Sequence, residues 1–346
     1  MIRHAFLTVT DHGFFPGTLA TVSSILEYHP ESEVIVVVNE YQPLNNLQAA
    51  SLEGDARVRL VGSSRFAIDG RCIGAWELKA YAAHDLAEGY DVLVGIDSDC
   101  LLCSNVREEI QTCFETGAFL GGQDSCQAYD ASYRIYGIST PAQNARYMST
   151  SLYFCAVTGP NRRILKKWAE CCDAAIFNGR GPYPGHGDQG VLNAVLFGET
   201  AQGVKLLENA VWSQHWMYWS SIIGYRDGQF INRSAGDLRQ RSFHCGGAEK
   251  FWRREHADRV LRTRPSHDYP YAWFLAMLWF GPCRNWSQDP YEYLPAESRH
   301  LLSDLVLFLP TIMQIYPAAQ SLWKQLTEPL IHRLRTVALQ DSCCQT

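Results

Sequence analysis

Two runs in this 346-residue chain, Val34-Ile-Val-Val-Val38 and Val92-Leu-Val-Gly-Ile96, carry no polar side chain over five consecutive positions. A strand that apolar is covered on both faces, which calls for helices above and below a sheet. The neighbouring segments fit that demand. Ala5-Phe-Leu-Thr-Val9 reads as a strand from its β-branched and aromatic content. Beyond the turn-prone His12-Gly-Phe-Phe-Pro16-Gly17, Leu19, Val22 and Leu26 recur at helical spacing, with Thr18 as the N-cap. Val58-Arg-Leu-Val61 is a weaker strand, and Trp76 to Leu86 has helical character. Strand, helix, strand in repetition predicts an α/β domain with a mostly parallel central sheet. In such sheets ligands lie beyond the carboxyl ends of the strands, so the residues that follow each strand carry the functional reading.

Composition narrows the function. With 30 Lys+Arg against 36 Asp+Glu the net charge is −6, and no long basic run exists, which speaks against a general nucleic-acid binder. Apolar residues at 47% and charged ones at 19% exclude a disordered or low-complexity chain. Twelve cysteines are scattered, with adjacent pairs at Cys171-Cys172 and Cys343-Cys344. The first residues, Met1-Ile-Arg-His-Ala-Phe-Leu7, run straight into strand-like sequence without the apolar stretch of an export signal. Reduced, mostly buried thiols in a cytoplasmic chain are therefore expected. Cys100-Leu-Leu-Cys103 has zinc-knuckle spacing, but no second Cys-x-x-Cys pair closes a four-ligand site.

The chain changes character near residue 260, giving residues 1–260 as a catalytic domain and 261–346 as a helical C-terminal region. Arg253, Arg254, Arg259, Arg262 and Arg264 form a basic stretch ahead of the aromatic-rich Tyr269 to Cys283. Leu301 to Tyr316 is apolar but interrupted by Asp304 and Pro310, too short for a membrane span. Two readings stand: a peripheral membrane or partner contact, or a helical subdomain packed on the core.

The strongest chemical signal is Asp97-Ser98-Asp99, directly after the apolar run that ends at Ile96. Two carboxylates one residue apart, on an extended turn leaving a buried strand, can share one hard divalent cation, Mn²⁺ or Mg²⁺. Alone, the pattern equally fits a solvated Asx-type turn. It is joined by His244-Cys-Gly-Gly247-Ala-Glu-Lys250-Phe-Trp252, where an imidazole can complete the metal site, a glycine lets backbone N–H groups approach a phosphate, and Lys250 can neutralise a diphosphate. Between them, Gly187-Asp188-Gln189-Gly190-Val-Leu192-Asn193 is a polar turn entering a helix.

Taken in order over residues 1–255, these segments resemble the retaining, metal-dependent glycosyltransferases of family eight, which include lipopolysaccharide galactosyl- and glucosyltransferases and glycogenin. The matching elements are Thr8-Val-Thr10-Asp11, Lys79, Asp97-Ser98-Asp99, Asp188-Gln189, Leu192-Asn193 and the His-x-x-Gly-x-x-Lys-x-Trp signature from His244 to Trp252. The resemblance implies the single-domain GT-A nucleotide-sugar fold. It implies that Asp97, Asp99 and His244 hold Mn²⁺ at the donor diphosphate and that Gly247 and Lys250 hold its phosphates. It places Thr8, Thr10 and Asp11 against uracil and ribose, with Lys79 and Ser98 on the donor side. Asp188 would meet the donor sugar, and Gln189 would stabilise the oxocarbenium-like centre. Where the family has Asn-Ala-Gly this chain has Tyr147-Met-Ser149-Thr150-Ser151-Leu-Tyr153, and Gly190 and Phe251 replace an Asp and a Pro. Those departures fall on the sugar end of the site.

The implied activity is transfer of a hexose from a UDP-sugar to a glycan, lipid-linked or protein hydroxyl, with retention. Two rivals remain. A sugar nucleotidyltransferase would show a basic Gly-rich loop after the first strand, and Thr8 to Gly17 holds no Lys or Arg. A silent carbohydrate-binding protein would have no need for both Asp99 and His244. For the acceptor, Trp212, Trp216 and Trp219 fall at i, i+4 and i+7. This predicts one packed helical stripe, with one ring left to line an acceptor site beside Gln214 and His215. His186 beside Asp188 is read as a solvated loop histidine, and the Cys343-Cys344-Gln-Thr346 end as an exposed tail.

Overall fold

The computed structural model describes residues 2–66, 75–124, 147–177, 187–199, 203–207, 212, 214–215, 223–226, 229–232 and 236–244. The expectations placed on His186, Gly247, Lys250, Trp252, the arginines from 253 to 264 and the region 261–346 lie outside these residues.

Strands β1 (His4–Thr10), β2 (Glu33–Val38), β3 (Val58–Gly62) and β4 (Val92–Ile96) fall where the apolar runs predict them. They alternate with helices α1 (Phe15–Tyr28), α2 (Asn46–Glu53) and α3 (Ala75–Leu86). Then come β5 (Cys100–Leu102), α4 (Arg107–Thr116), β6 (Phe119–Gln123), β7 (Met148–Ala156), α5 (Gly159–Phe177) and α6 (Asp188–Glu199). The last described elements are β8 (Val204–Leu207), β9 (Gln214–His215), β10 (Ile223–Arg226), β11 (Gln229–Asn232), β12 (Leu238–Arg239) and β13 (Ser242–His244).

Seven strands form the central sheet in the order β3-β2-β1-β4-β7-β6-β8. Its pairs are parallel except at β7, which runs antiparallel to both β4 and β6. Alternation along each strand divides the core into two layers. Ala5, Leu7, Ile35, Val37 and Leu93 face one layer, with α3, α5 and α6. Phe6, Val34, Val36, Val94 and Ile96 face the other, with α1 and α4. Two small three-stranded sheets, β10-β11-β12 and β5-β13-β9, complete the described residues.

Three local readings change. The first helix begins at Phe15, with Pro16 in its first turn, rather than after Thr18. Proline's fixed φ suits that place. The Phe14 N–H donates to Asp11 Oδ1 at 2.9 Å and closes the turn ahead of the helix, whose own first turn has no side-chain cap. Thr18 lies inside the helix and donates to Phe14 O and to Thr10 Oγ1. The turn after β4 is tight rather than extended, because the Cys100 N–H donates to Asp97 O at 2.9 Å. In the aromatic segment, Gln214–His215 is strand β9 where a helix was predicted. Trp212 is buried against Phe154, edge to face at 5.8 Å between centroids. The rings of Trp212, Trp216 and Tyr218 also fall on even positions, and over so short a stretch periods of 2 and 3.6 both match.

All six described cysteines, Cys100, Cys103, Cys113, Cys155, Cys171 and Cys172, are free and buried, as the composition predicts. No described helix is long and apolar enough to cross a membrane.

Candidate active site

The chain visits β1, β2 and β3 to one side, then crosses to β4 on the other side of β1. That reversal leaves a crevice beyond the carboxyl ends of β1 and β4, where open α/β sheets bind ligands. Thr10 and Asp11 end β1 there, and Asp97, Ser98 and Asp99 follow β4.

Asp99 and Ser98 are buried in the turn. Helix α1 braces it from below: Thr21 Oγ1 donates to Cys100 O at 2.8 Å, and the Leu102 N–H donates to Ser24 Oγ at 3.1 Å. The turn leads into β5, which pairs antiparallel with β13 so that His244 lies opposite Cys100. This ladder brings a residue 145 positions downstream of Asp99 to its side. His244 Nε2 is 3.4 Å from Asp99 Oδ1 and 3.7 Å from Asp97 Oδ2. One ligand atom from each of the three lies within 4.8 Å of the others.

Strand alternation sends Asp97 to the same side as Leu93, toward α3 and α6. There Lys79 Nζ lies 2.6 Å from Asp97 Oδ1 and 3.2 Å from Asp188 Oδ2. Burial alone pulls the lysine's pKa down, but Asp188 and Asp97 outweigh it and hold the ammonium well above its usual range. Burial pushes the Asp188 carboxyl above its ordinary value, against the pull of Lys79. The Cys100 thiol beneath the turn is held protonated by burial and by Asp97 and Asp99.

Helix α6 enters the site at its first turn, after Gly187 at φ 60°. Its Gln189 is held on both sides: Oε1 accepts the Thr150 N–H at 3.0 Å, and Nε2 donates to Asp124 Oδ2 at 3.1 Å. Asn193, one turn on, accepts the Met148 N–H at 2.6 Å and donates to Met148 O at 2.7 Å and Gln189 O at 2.8 Å. The Asn193 amide thus pairs with β7 as another strand would. Trp168 Nε1 donates to Asp188 O at 3.0 Å and fixes the helix start from α5. Serines 149 and 151, which stand in the segment that departs from the family pattern, have their hydroxyls 2.9 Å apart.

Of the residues singled out from sequence, Asp97, Ser98, Asp99, Lys79, Asp188, Gln189 and His244 gather around this crevice. Thr10 and Asp11 edge it at the end of β1, while Thr8 lies further back in that strand, buried, its hydroxyl without a hydrogen-bond partner. Sequence reasoning did not single out Tyr153 or Asp124. Tyr153 lies opposite Gly95 in the β4–β7 register. Its ring occupies the space a side chain at Gly95 would fill. The apolar run interrupted by one glycine was the available signal.

A second cluster, His4, His29 and Glu31, also brings ligand atoms within 4.8 Å of one another. Its geometry is not that of a metal centre. His29 Nε2 accepts the Val106 N–H at 2.9 Å, which leaves the ring proton on Nδ1. Glu31 is taken by the Arg107 guanidinium.

No protein-family model and no curated protein matches the sequence. Solved structures do. The galactosyltransferase LgtC, solved in complex with donor and acceptor sugar analogues, is similar with a TM-score of 0.52 at 17% identity. The match covers 84% of this chain and 98% of that one. The chain has the GT-A fold. The bifunctional glycosyltransferase WbbM gives a TM-score of 0.53 at 13% identity, over 84% of this chain, which spans 50% of WbbM. The GT-A sheet explains why the acidic turn sits where it does: β4 is the strand beside the switch point, and its carboxyl end opens on the crevice.

The three clustered side chains suit a divalent cation. Two carboxylates and an imidazole match the preferences of Mn²⁺ and accept Mg²⁺. Octahedral ligands about 2.1 Å from an ion are about 3 Å apart. The 3.4 and 3.7 Å separations at His244 are close to that spacing.

Proposed function

We propose that the chain is a metal-dependent hexosyltransferase that transfers a sugar from a UDP-sugar to a hydroxyl of a glycan, lipid-linked or protein acceptor, with retention, in the cytoplasm. The observation that carries this reading is the convergence of Asp97, Asp99 and His244 beyond β4, at the switch point of a GT-A sheet. Both similar structures are glycosyltransferases by name.

In this reading Asp97, Asp99 and His244 hold Mn²⁺ or Mg²⁺. The cation supplies the positive charge that offsets the leaving diphosphate. Lys79 pairs with Asp97 and Asp188 and fixes both carboxyl groups in direction before substrate arrives, so less reorganisation is left for the reaction. Asp188 accepts a hydrogen bond from a donor-sugar hydroxyl. Gln189, restrained by Thr150 and Asp124, presents its amide to the anomeric centre. Gly247 and Lys250 hold the phosphates, and Thr8, Thr10, Asp11 and Ser98 form the nucleoside side. In the transfer, the bond from the anomeric carbon to the UDP oxygen breaks and one to the acceptor oxygen forms on the same face. The acceptor proton leaves with the diphosphate. Residues 261–346 make a peripheral membrane or partner contact. Co-sedimentation with anionic vesicles at low salt tests the membrane contact.

The deciding experiment is thermal unfolding with UDP, UTP and UDP-sugars, each with and without Mn²⁺. A ligand at a hundred times its dissociation constant stabilises by about 2.7 kcal/mol. A shift that needs UDP and Mn²⁺ together, and disappears in Asp99→Asn, supports the proposal. A shift with UTP but not UDP points to a nucleotidyltransferase, and no shift with any of them favours the silent carbohydrate-binding protein. NMR of the product's anomeric configuration tests retention separately.

A further inference from the structure

His244 reaches Asp97 and Asp99 on a ladder of only three residue pairs, Ser242 with Leu102, Phe243 with Leu101 and His244 with Cys100. So short a pairing is weak on its own. A slip of one residue would turn His244 to the opposite face of the strand. On its other side β9 adds only two parallel pairs, Phe243 with Gln214 and His244 with His215, so the register of this small sheet gains from an anchor outside it.

Arg241, the residue just before β13, has the contacts of such an anchor. Its carbonyl accepts the Cys103 N–H at 2.9 Å, which extends the pairing one step beyond β5. Its Nη1 donates to Asn105 O at 3.2 Å and Ser104 Oγ at 3.4 Å. Its Nη2 lies 3.4 Å from Glu109 Oε1 in the first turn of α4, and its Cζ lies 5.8 Å from the Trp212 ring centroid. Trp212 in turn packs on Phe154 of β7, in the central sheet. One side chain thus ties β13 to the segment leaving β5, to α4 and to a core aromatic. Backbone carbonyl and carboxylate partners use the guanidinium's fork of donors, which a lysine does not reproduce.

We propose that Arg241 is a positioning residue: by fixing the register of β13 it aims His244 at Asp97 and Asp99. The inference rests on the reading of those three as metal ligands, and it acts at one remove from the metal. Groups that orient metal ligands ordinarily change metal affinity by about 10–100-fold when removed.

The test uses the full chain and Mn²⁺ alone as probe, followed by the electron paramagnetic resonance signal of free Mn²⁺. Amide hydrogen exchange is measured alongside. Arg241→Gln is expected to weaken Mn²⁺ binding about tenfold or more. It should lose protection at Ser242–His244 while β1, β2 and β4 stay protected. In the His244→Ala background it should weaken Mn²⁺ no further, because the group it positions is gone. Arg241→Lys, which keeps the charge but not the fork, should show the same local loss in smaller measure and serves if the Gln variant does not fold. Wild-type protection of β13 in these variants, or losses that multiply in the double variant, overturns the proposal. If wild-type protein and Asp99→Asn take up Mn²⁺ equally poorly, the metal reading fails instead, and exchange at Ser242–His244 still decides the role of Arg241.

Discussion

Lys79 Nζ lies 2.6 Å from Asp97 Oδ1, and the same ammonium is 3.2 Å from Asp188 Oδ2. The first carboxylate belongs to the Asp97–Asp99–His244 cluster and the second to the helix that carries Gln189, so Lys79 couples the two halves of the crevice. Its side chain is only 12% exposed, and removing it would strand two carboxylates in low-dielectric surroundings. Breaking a buried pair from one side costs about 3–5 kcal/mol. Lys79→Met is expected to lose roughly that much in urea unfolding, with part of the loss recovered by added Mn²⁺. Recovery that Asp99→Asn abolishes ties the effect to the cation site, whereas unchanged stability would mean that Lys79 does not balance these charges.

Asn193 joins α6 to the sheet through both polar groups of Met148. Asn193→Leu keeps the size and removes every hydrogen bond. Each buried backbone group left without a partner costs about 1–3 kcal/mol, so the variant should lose about 2–5 kcal/mol in urea unfolding. Asp188 and Gln189 ride on the same helix, and transferase activity should fall in the fraction that stays folded. A drop in stability with full activity per folded molecule would separate Asn193 from the site.

Most of the parallel half of the sheet was legible because β4 is apolar throughout, β2 is apolar from Val34 to Val38, and β1 is rich in β-branched and aromatic residues. Burial on both faces leaves that mark in sequence. Asp97 and Asp99 were legible for the same reason, since the strand before them announces its own end. The pairing that delivers His244 was not, because three-residue strands carry no periodic signal and their paired residues lie 140 to 144 positions apart. The resemblance places Lys79 on the donor side. Its two carboxylate partners come from different elements, and only the sheet's alternation brings them to one side. Arg241 had no sequence signal at all, since its partners are a backbone carbonyl, a hydroxyl, two carboxylates and a ring from three separate segments.

Gly95 and Tyr153 face each other across β4 and β7, and the ring lies over the glycine. A Cβ at Gly95 would fall within 3 Å of the ring's edge and hydroxyl, so the ring would have to shift. Overpacking of this kind costs about 1–3 kcal/mol. Gly95→Ala should lose that amount, and adding Tyr153→Leu should return part of it. Strict additivity of the two changes would show that the ring does not need the glycine.

His29 sets a limit on acid stability that is independent of the active site. It is fully buried, its Nε2 accepts the Val106 N–H, and its Nδ1 has no hydrogen-bond partner. Burial is the main reason its pKa falls from 6.5 to about 4; Glu31 pulls it upward, while His4 and Arg107 add to the fall. The unfolded chain takes up this proton near pH 6.5, and the folded one resists until about pH 4. Stability is therefore complete above pH 6.5 and declines as the pH falls through that window. The full loss amounts to about 3 kcal/mol. Protonation would also put a hydrogen on Nε2, against the Val106 N–H, and release the start of α4 from the end of α1. His29→Gln keeps an acceptor for that N–H and does not titrate. Urea unfolding at pH 7, 5.5 and 4 should show a shallower decline in the variant than in the wild type, with the difference growing toward pH 4. Equal slopes would mean that the His29 ring is not held neutral by the fold.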